Sequence, residues 1–166
     1  MKKILTLLAC ISLLAGCNPN DTVWFDTKED AIKYGLEQES SNDLVKATVL
    51  SVEEYKDETI VFFESANALG VASITDSKKG FSWYRDIPYS DFEGDIPYST
   101  VSFDLETKRG TEISILAGKV NDTKIQKVKL LGDGNERELL ITENSRLFYT
   151  IHNASYRSLK IIPMID

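Results

Sequence analysis

The feature that most restricts the fold of this chain is a change of hydrophobic period near residue 44. From there onward apolar residues recur in short runs, mostly at every second position, and each run ends in polar or Gly-containing turn residues. Period two sends alternate side chains to opposite faces of an extended strand, whereas a helix repeats at 3.6. Residues 99–107 alternate most cleanly: Val101, Phe103 and Leu105 face one way, Ser102, Asp104 and Glu106 the other. Residues 59–64 (Thr-Ile-Val-Phe-Phe-Glu) are nearly continuously apolar, the pattern of a strand covered on both faces. Further runs lie at 44–55, 69–74, 81–85, 113–115, 125–131, 138–142, 146–152 and 159–162. Lys56-Asp57-Glu58, Lys108-Arg109-Gly110 and Gly132-Asp133-Gly134-Asn135 are turn chemistry between them. Nine or ten short strands at this spacing predict a mainly β (α+β) domain, an antiparallel meander forming a sandwich or an open barrel. A single sheet curved around a helix is the alternative.

Before the change of period, residues 27–39 read as one N-terminal amphipathic helix. Asp26 or Thr27 serves as its cap, Glu29 and Asp30 suit the positive end of its dipole, and Ala31, Ile32, Gly35 and Leu36 fall at helical spacing.

The chain begins with Met1-Lys2-Lys3, continues through an apolar stretch at residues 4–14, and reaches Leu14-Ala15-Gly16-Cys17. A basic start, a short apolar run and small residues mark a secretory signal peptide, and the run is shorter than the ~20 residues a membrane span needs. With Leu-Ala-Gly directly before Cys, the segment resembles the lipobox of bacterial lipoproteins. That resemblance implies cleavage after residue 16, a diacylglyceryl group on Cys17, and anchorage on the extracytoplasmic face of the cell membrane. The expected organisation is a lipoprotein signal peptide at 1–16, an anchor and short tether at 17–26, and one β-rich extracytoplasmic domain at 27–166. The remainder is similar to short, uncharacterised lipoproteins of Bacillus-type bacteria in Glu29-Asp30-Ala31-Ile32-Lys33-Tyr34-Gly35, Glu58-Thr59-Ile60-Val61-Phe62-Phe63 and Phe81-Ser82-Trp83-Tyr84-Arg85, and this implies no particular activity.

Charge and rare residues narrow the chemistry. The formal net charge is −7, and loss of Lys2 and Lys3 with the leader makes it more negative. Such a chain is a poor candidate for nucleic acid or for direct adhesion to anionic lipid headgroups, and is expected to be held at the membrane by lipid rather than by charge. Cys10 lies in the leader and Cys17 takes the lipid, so no thiol remains for a disulfide, a zinc site or a nucleophile. His152 is the only histidine. With no Gly-x-Ser-x-Gly elbow to supply a nucleophile, it is expected at a strand end or turn. No cofactor is expected beyond the covalent lipid.

Residues 81–103 hold seven of the sixteen aromatic side chains. Within them Asp86-Ile87-Pro88-Tyr89-Ser90 recurs as Asp95-Ile96-Pro97-Tyr98-Ser99. The prolines predict a long ordered loop in place of a central strand. Two readings compete: the rings staple the loop to the domain, or Trp83, Tyr84, Tyr89, Phe92 and Tyr98 form a surface for an envelope protein, peptide or glycan. Asp91, Glu93 and Asp95 alternate as calcium ligands do, but the twelfth position counted from Asp91 is Ser102, so a solvated acidic loop is expected and no metal. The functional expectation is a non-enzymatic binding module, with a small envelope hydrolase or an inhibitor or immunity-type lipoprotein as alternatives.

Overall fold

A computed structural model describes residues 22–40 and 45–165. The expected signal peptide, Cys17 and most of the expected tether lie outside these residues. The described chain holds one α-helix, α1 (Lys28–Glu39), a single 3-10 turn at Tyr156–Ser158, and ten strands: β1 (Thr48–Tyr55), β2 (Glu58–Ser65), β3 (Ala68–Ser77), β4 (Gly80–Tyr84), β5 (Tyr98–Glu106), β6 (Glu112–Val120), β7 (Ile125–Leu131), β8 (Arg137–Leu139), β9 (Leu147–His152) and β10 (Lys160–Ile165). They form three antiparallel sheets, ordered β1-β2-β3-β4, β5-β6-β9 and β10-β7-β8. Among the described residues the fold is mainly β and sandwich-like, with no closed barrel.

Register explains the layering. Ile60 and Phe62 of β2 share a face with Leu69 and Val71 of β3, and this face packs on Leu105, Ile113, Ile115 and Leu147 of the β5-β6-β9 sheet. The opposite face of that second sheet presents Leu116 and Phe148 to Val128, Leu130 and Leu139 of the third. On the outer side of the first sheet, Val61 and Ile74 meet Ala31 of α1. The order is therefore helix, sheet, sheet, sheet. A strand sandwiched this way has no solvent face, so the near-continuous apolar run of β2 is buried almost throughout.

Two features of α1 follow from how closely it sits. Thr27 caps it, its Oγ1 accepting from the Asp30 backbone N–H at 3.1 Å. Its buried residues are the small Ala31 and Gly35, while Ile32 and Leu36 are only half-buried. Gly35 lies against the Trp83 ring, where an added Cβ would fall 2.0 Å from Cδ2. The amphipathic stripe is thus narrow, because a bulky indole occupies the space that larger helical side chains would fill.

Several boundaries differ from the sequence reading. β1 starts at Thr48, four residues after the change of period. The expected strand at 138–142 contracts to Arg137–Leu139, after which Leu140 projects outward. The last strand runs on to Ile165 through Pro163, which an edge strand such as β10 tolerates because its outer side needs no ladder donor. The β1–β2 and β2–β3 turns place Lys56, Asp57, Ala66 and Asn67 at positive φ, the geometry of a two-residue hairpin whose twist matches its strands.

Glu58 fastens the first two sheets together. It is 2% exposed and accepts from Arg109 Nε and Nη2, both at 3.1 Å, from Thr107 Oγ1 at 3.1 Å and from Thr111 Oγ1 at 3.0 Å. A buried carboxylate is tolerable only when it is paired and hydrogen-bonded in this way.

Candidate functional site: a groove beside an open strand edge

Residues 85–97 leave β4, cross to the first core and return to start β5. The N-terminal half of β3 has lost its β4 neighbour, and Ser90 takes that place: Leu69 and Ser90 exchange N–H···O=C bonds of 3.0 and 2.8 Å. Ile87 and Phe92 then turn into the first core. Further on, Asn121 Nδ2 donates to the carbonyls of Gly94 and Ile96 at 3.2 and 2.9 Å, and the Asn121 and Asp122 N–H groups donate to Pro97 O.

The start of the loop is tied to the end of α1. Glu39 Oε2 accepts from Arg85 Nη1 at 3.0 Å and from the Tyr89 hydroxyl at 2.7 Å. The Arg85 guanidinium lies 4.1 Å from the Tyr89 ring centroid, and Tyr89 meets Phe63 edge-on at 5.8 Å. Burial and then the Glu39 carboxylate push the Tyr89 phenol from 10 up to about 12.

The structure divides the five aromatic residues singled out in the sequence. Trp83 lies under Gly35 and against Phe63, at 5.5 Å between ring centroids. Tyr84 is half-buried, with its hydroxyl 3.5 Å from Asp86 Oδ2. Tyr98 begins β5 and packs on the second core. Only Tyr89 and Phe92 come together on one groove, and Phe92 contributes there from a position 8% exposed. The two copies of the repeat have unlike surroundings: Ile87 packs on the core, whereas Ile96 is exposed.

That groove, about 470 Å³, runs between the loop and β5. Ile87, Tyr89 and Phe92 form one wall, Val101 and Phe103 the other, and Asp91 and Glu93 stand at its rim. Sequence reasoning placed Val101 and Phe103 on a strand face and did not connect them with the loop. Their role depends on β5 being an edge strand, which follows only once β9 has paired with the far side of β6. The backbone of that edge is available. Thr107 N–H donates to Thr111 O, and the alternation of antiparallel bonding then turns the N–H and C=O groups of Ser99, Val101, Phe103 and Leu105 toward β6. The same groups of Thr100, Ser102 and Asp104 point the other way, where no strand lies among the described residues.

His152 is 3% exposed at the end of β9. Its Nδ1 lies 2.9 Å from Ala154 O and its Nε2 3.1 Å from Ser102 Oγ. With Nδ1–H given to the carbonyl, Nε2 accepts from the serine. The spacing is that of a nucleophile and base, but a backbone carbonyl orients the ring where a triad uses a carboxylate. The nearby Asp133 carboxylate is occupied with Arg137 and the N–H groups of Asn153 and Ala154, so the cluster holds the turn after β9. Among the described residues no group of His, Cys, Asp and Glu side chains could hold a metal ion, and no helix is long and apolar enough to cross a membrane.

In comparisons with known proteins, the chain matches no family model, no curated protein and no solved structure.

Proposed function

We propose that this chain is an extracytoplasmic lipoprotein, anchored at the cell membrane through Cys17, and that its β domain is a binding module for an extended polypeptide segment of an envelope partner. The observation that carries the second part is the groove beside the open edge of β5. Strand addition uses two elements together: free main-chain groups for affinity and an adjoining apolar recess for alternate side chains. The outward groups of Thr100, Ser102 and Asp104 supply the first, and Tyr89, Phe92, Val101 and Phe103 the second. Asp91 and Glu93 at the rim favour a segment that alternates apolar with basic residues. The lipobox supports the anchor.

The test is Thr100→Pro. Proline removes the outward N–H of Thr100 and leaves the bonds between β5 and β6 intact. We expect the variant to melt within a few degrees of wild type and to lose most of its affinity for alternating apolar and basic peptides, measured by fluorescence anisotropy. Wild-type affinity in a folded Thr100→Pro protein contradicts strand addition. The Ser102–His152 contact favours a hydrolase as a second reading; ester or wall-fragment turnover abolished by Ser102→Ala, in a protein that still folds, would establish it.

A further inference from the structure

Among the described residues the three sheets have six edges, and five of them are blunted. β1 shifts register between Val49 and Ser51. The β4 edge is capped by Phe25, which exchanges backbone hydrogen bonds of 2.8 Å with Phe81. β9 is covered by Thr142, whose N–H donates to Leu147 O at 2.8 Å, and by Arg137, whose Nη2 donates to Ile151 O at 2.8 Å. β8 has three residues, and β10 contains Pro163. β5 differs from all of these. It keeps unbroken register over nine residues, from Tyr98 opposite Val120 to Glu106 opposite Glu112, and contains no proline. A long regular edge invites pairing, and proteins ordinarily blunt it.

The groove occupies only one face of this edge. Side chains alternate across a strand, so those of Thr100, Ser102 and Asp104 lie on the other face, in the row that Tyr98 begins by packing on the second core. Beside Thr100 stands Tyr156, 47% exposed, with its hydroxyl 3.4 Å from Thr100 Oγ1. Arg157 follows Tyr156 in the chain, exposed and in no ion pair among the described residues. The Ser102 hydroxyl is engaged by His152 Nε2 at 3.1 Å. Asp104 is exposed and in no ion pair among the described residues; its Oδ1 accepts from Ser114 Oγ at 2.7 Å.

We infer that this second face reads the alternate side chains of the extended segment, taking a basic residue opposite Asp104 and an aromatic one opposite Thr100. The inference rests on the strand-addition reading above. Asp104 offers an opposite charge, and Tyr156 offers an exposed ring on which another ring packs. Arg157 disfavours a second cation beside Tyr156. Ser102, engaged by His152, leaves the middle position to main-chain bonds alone. The residues opposite Val101 and Phe103 enter the groove. Every pairing between described strands is antiparallel, and a segment added in the same sense meets Asp104 first. The recognised run is therefore basic, apolar, any, apolar, aromatic, in that order. Each opposite-charge or aromatic cross-strand pair is worth up to about fivefold in affinity.

The test uses the full chain in detergent and two capped fluorescent peptides of identical composition. One carries Lys-Val-Ser-Val-Phe and the other the reverse order, Phe-Val-Ser-Val-Lys, between the same flanking residues. We expect the first to bind several-fold more tightly. Asp104→Lys is expected to weaken it several-fold and to shift the preference to a peptide with Glu in place of Lys. Tyr156→Ala is expected to weaken it several-fold, and Tyr156→Phe, which keeps the ring, to retain it, all in proteins of unchanged melting temperature. Equal binding of the two orders, or a preference that survives both Asp104→Lys and Tyr156→Ala, overturns the inference. Thr100→Pro reports the underlying reading separately. If that variant binds the peptides as wild type does, strand addition itself is wrong. Binding that is lost in Thr100→Pro yet indifferent to residues 104 and 156 refutes the second face and leaves strand addition standing.

Discussion

Gly35→Ala reverses the usual sign of a glycine-to-alanine change in a helix. In an unobstructed helix the substitution stabilises by roughly 0.5–1 kcal/mol, because alanine has less backbone freedom to lose. Here the new methyl would sit 2.0, 2.3 and 2.5 Å from three atoms of the Trp83 indole. Non-bonded carbons rest at about 3.5–4.0 Å, so helix and ring must separate by about 1.5 Å. Overpacking costs about 1–3 kcal/mol, and a rigid ring met by three atoms belongs at the upper end. After the helix gain, the net loss is about 2 kcal/mol, or about 4–8 °C in Tm for a chain of this size. The effect extends toward the groove, since Trp83 packs on Phe63, Phe63 on Tyr89, and the end of the same helix holds Tyr89 and Arg85 through Glu39. Thermal and urea unfolding of Gly35→Ala, Trp83→Leu and the double variant are the assay. The two changes are expected to couple by about 1 kcal/mol or more, because the smaller side chain makes room for the methyl. A Gly35→Ala protein more stable than wild type would refute the close packing of α1 on Trp83.

Removing the Glu58 carboxylate with Glu58→Ala leaves Thr107, Thr111 and Arg109 without their shared acceptor, and is expected to cost about 2–4 kcal/mol in urea unfolding. The Tyr89 phenol, raised to about 12, favours its neutral form in the folded protein, so its contribution is complete below pH 10 and is lost as pH rises through about 12. Tyr89→Phe therefore lowers stability by about 1 kcal/mol at neutral pH, and the gap between variant and wild type closes as pH rises from 10 toward 12; a constant gap contradicts the raised phenol. Cys17→Ser is expected to leave the protein unprocessed or release it from the membrane, and normal processing and retention of that variant would contradict lipid anchorage.

The strands were legible because alternation is local. Each run of period-two residues reports its own two faces, and β5 and β7 follow their patterns to within a residue. The double coverage of β2 was legible for the same reason. How the sheets stack was not, since that depends on β9 pairing with β6 across an intervening hairpin and on β10 returning to β7. The aromatic segment was visible as a concentration of rings, yet composition could not distinguish Trp83, held beneath a helical glycine, from Tyr89 at the groove. Val101 gave no sign of its own, because an exposed valine on a strand is commonplace until the neighbouring edge is known to be open.

The central claim is that an extended polypeptide lies along β5, and crosslinking in cells from position 101 tests it most directly. Val101 lines the groove and is 37% exposed, so it accepts a photoreactive phenylalanine analogue more readily than the buried Phe92. Leu140, 89% exposed and remote from this groove, is the control position. The account predicts one dominant adduct from position 101, mapped to an extended segment alternating apolar and basic residues, absent from position 140 and abolished by Thr100→Pro. Equal adducts from both positions, or an adduct from position 101 that persists with Thr100→Pro in place, would contradict it.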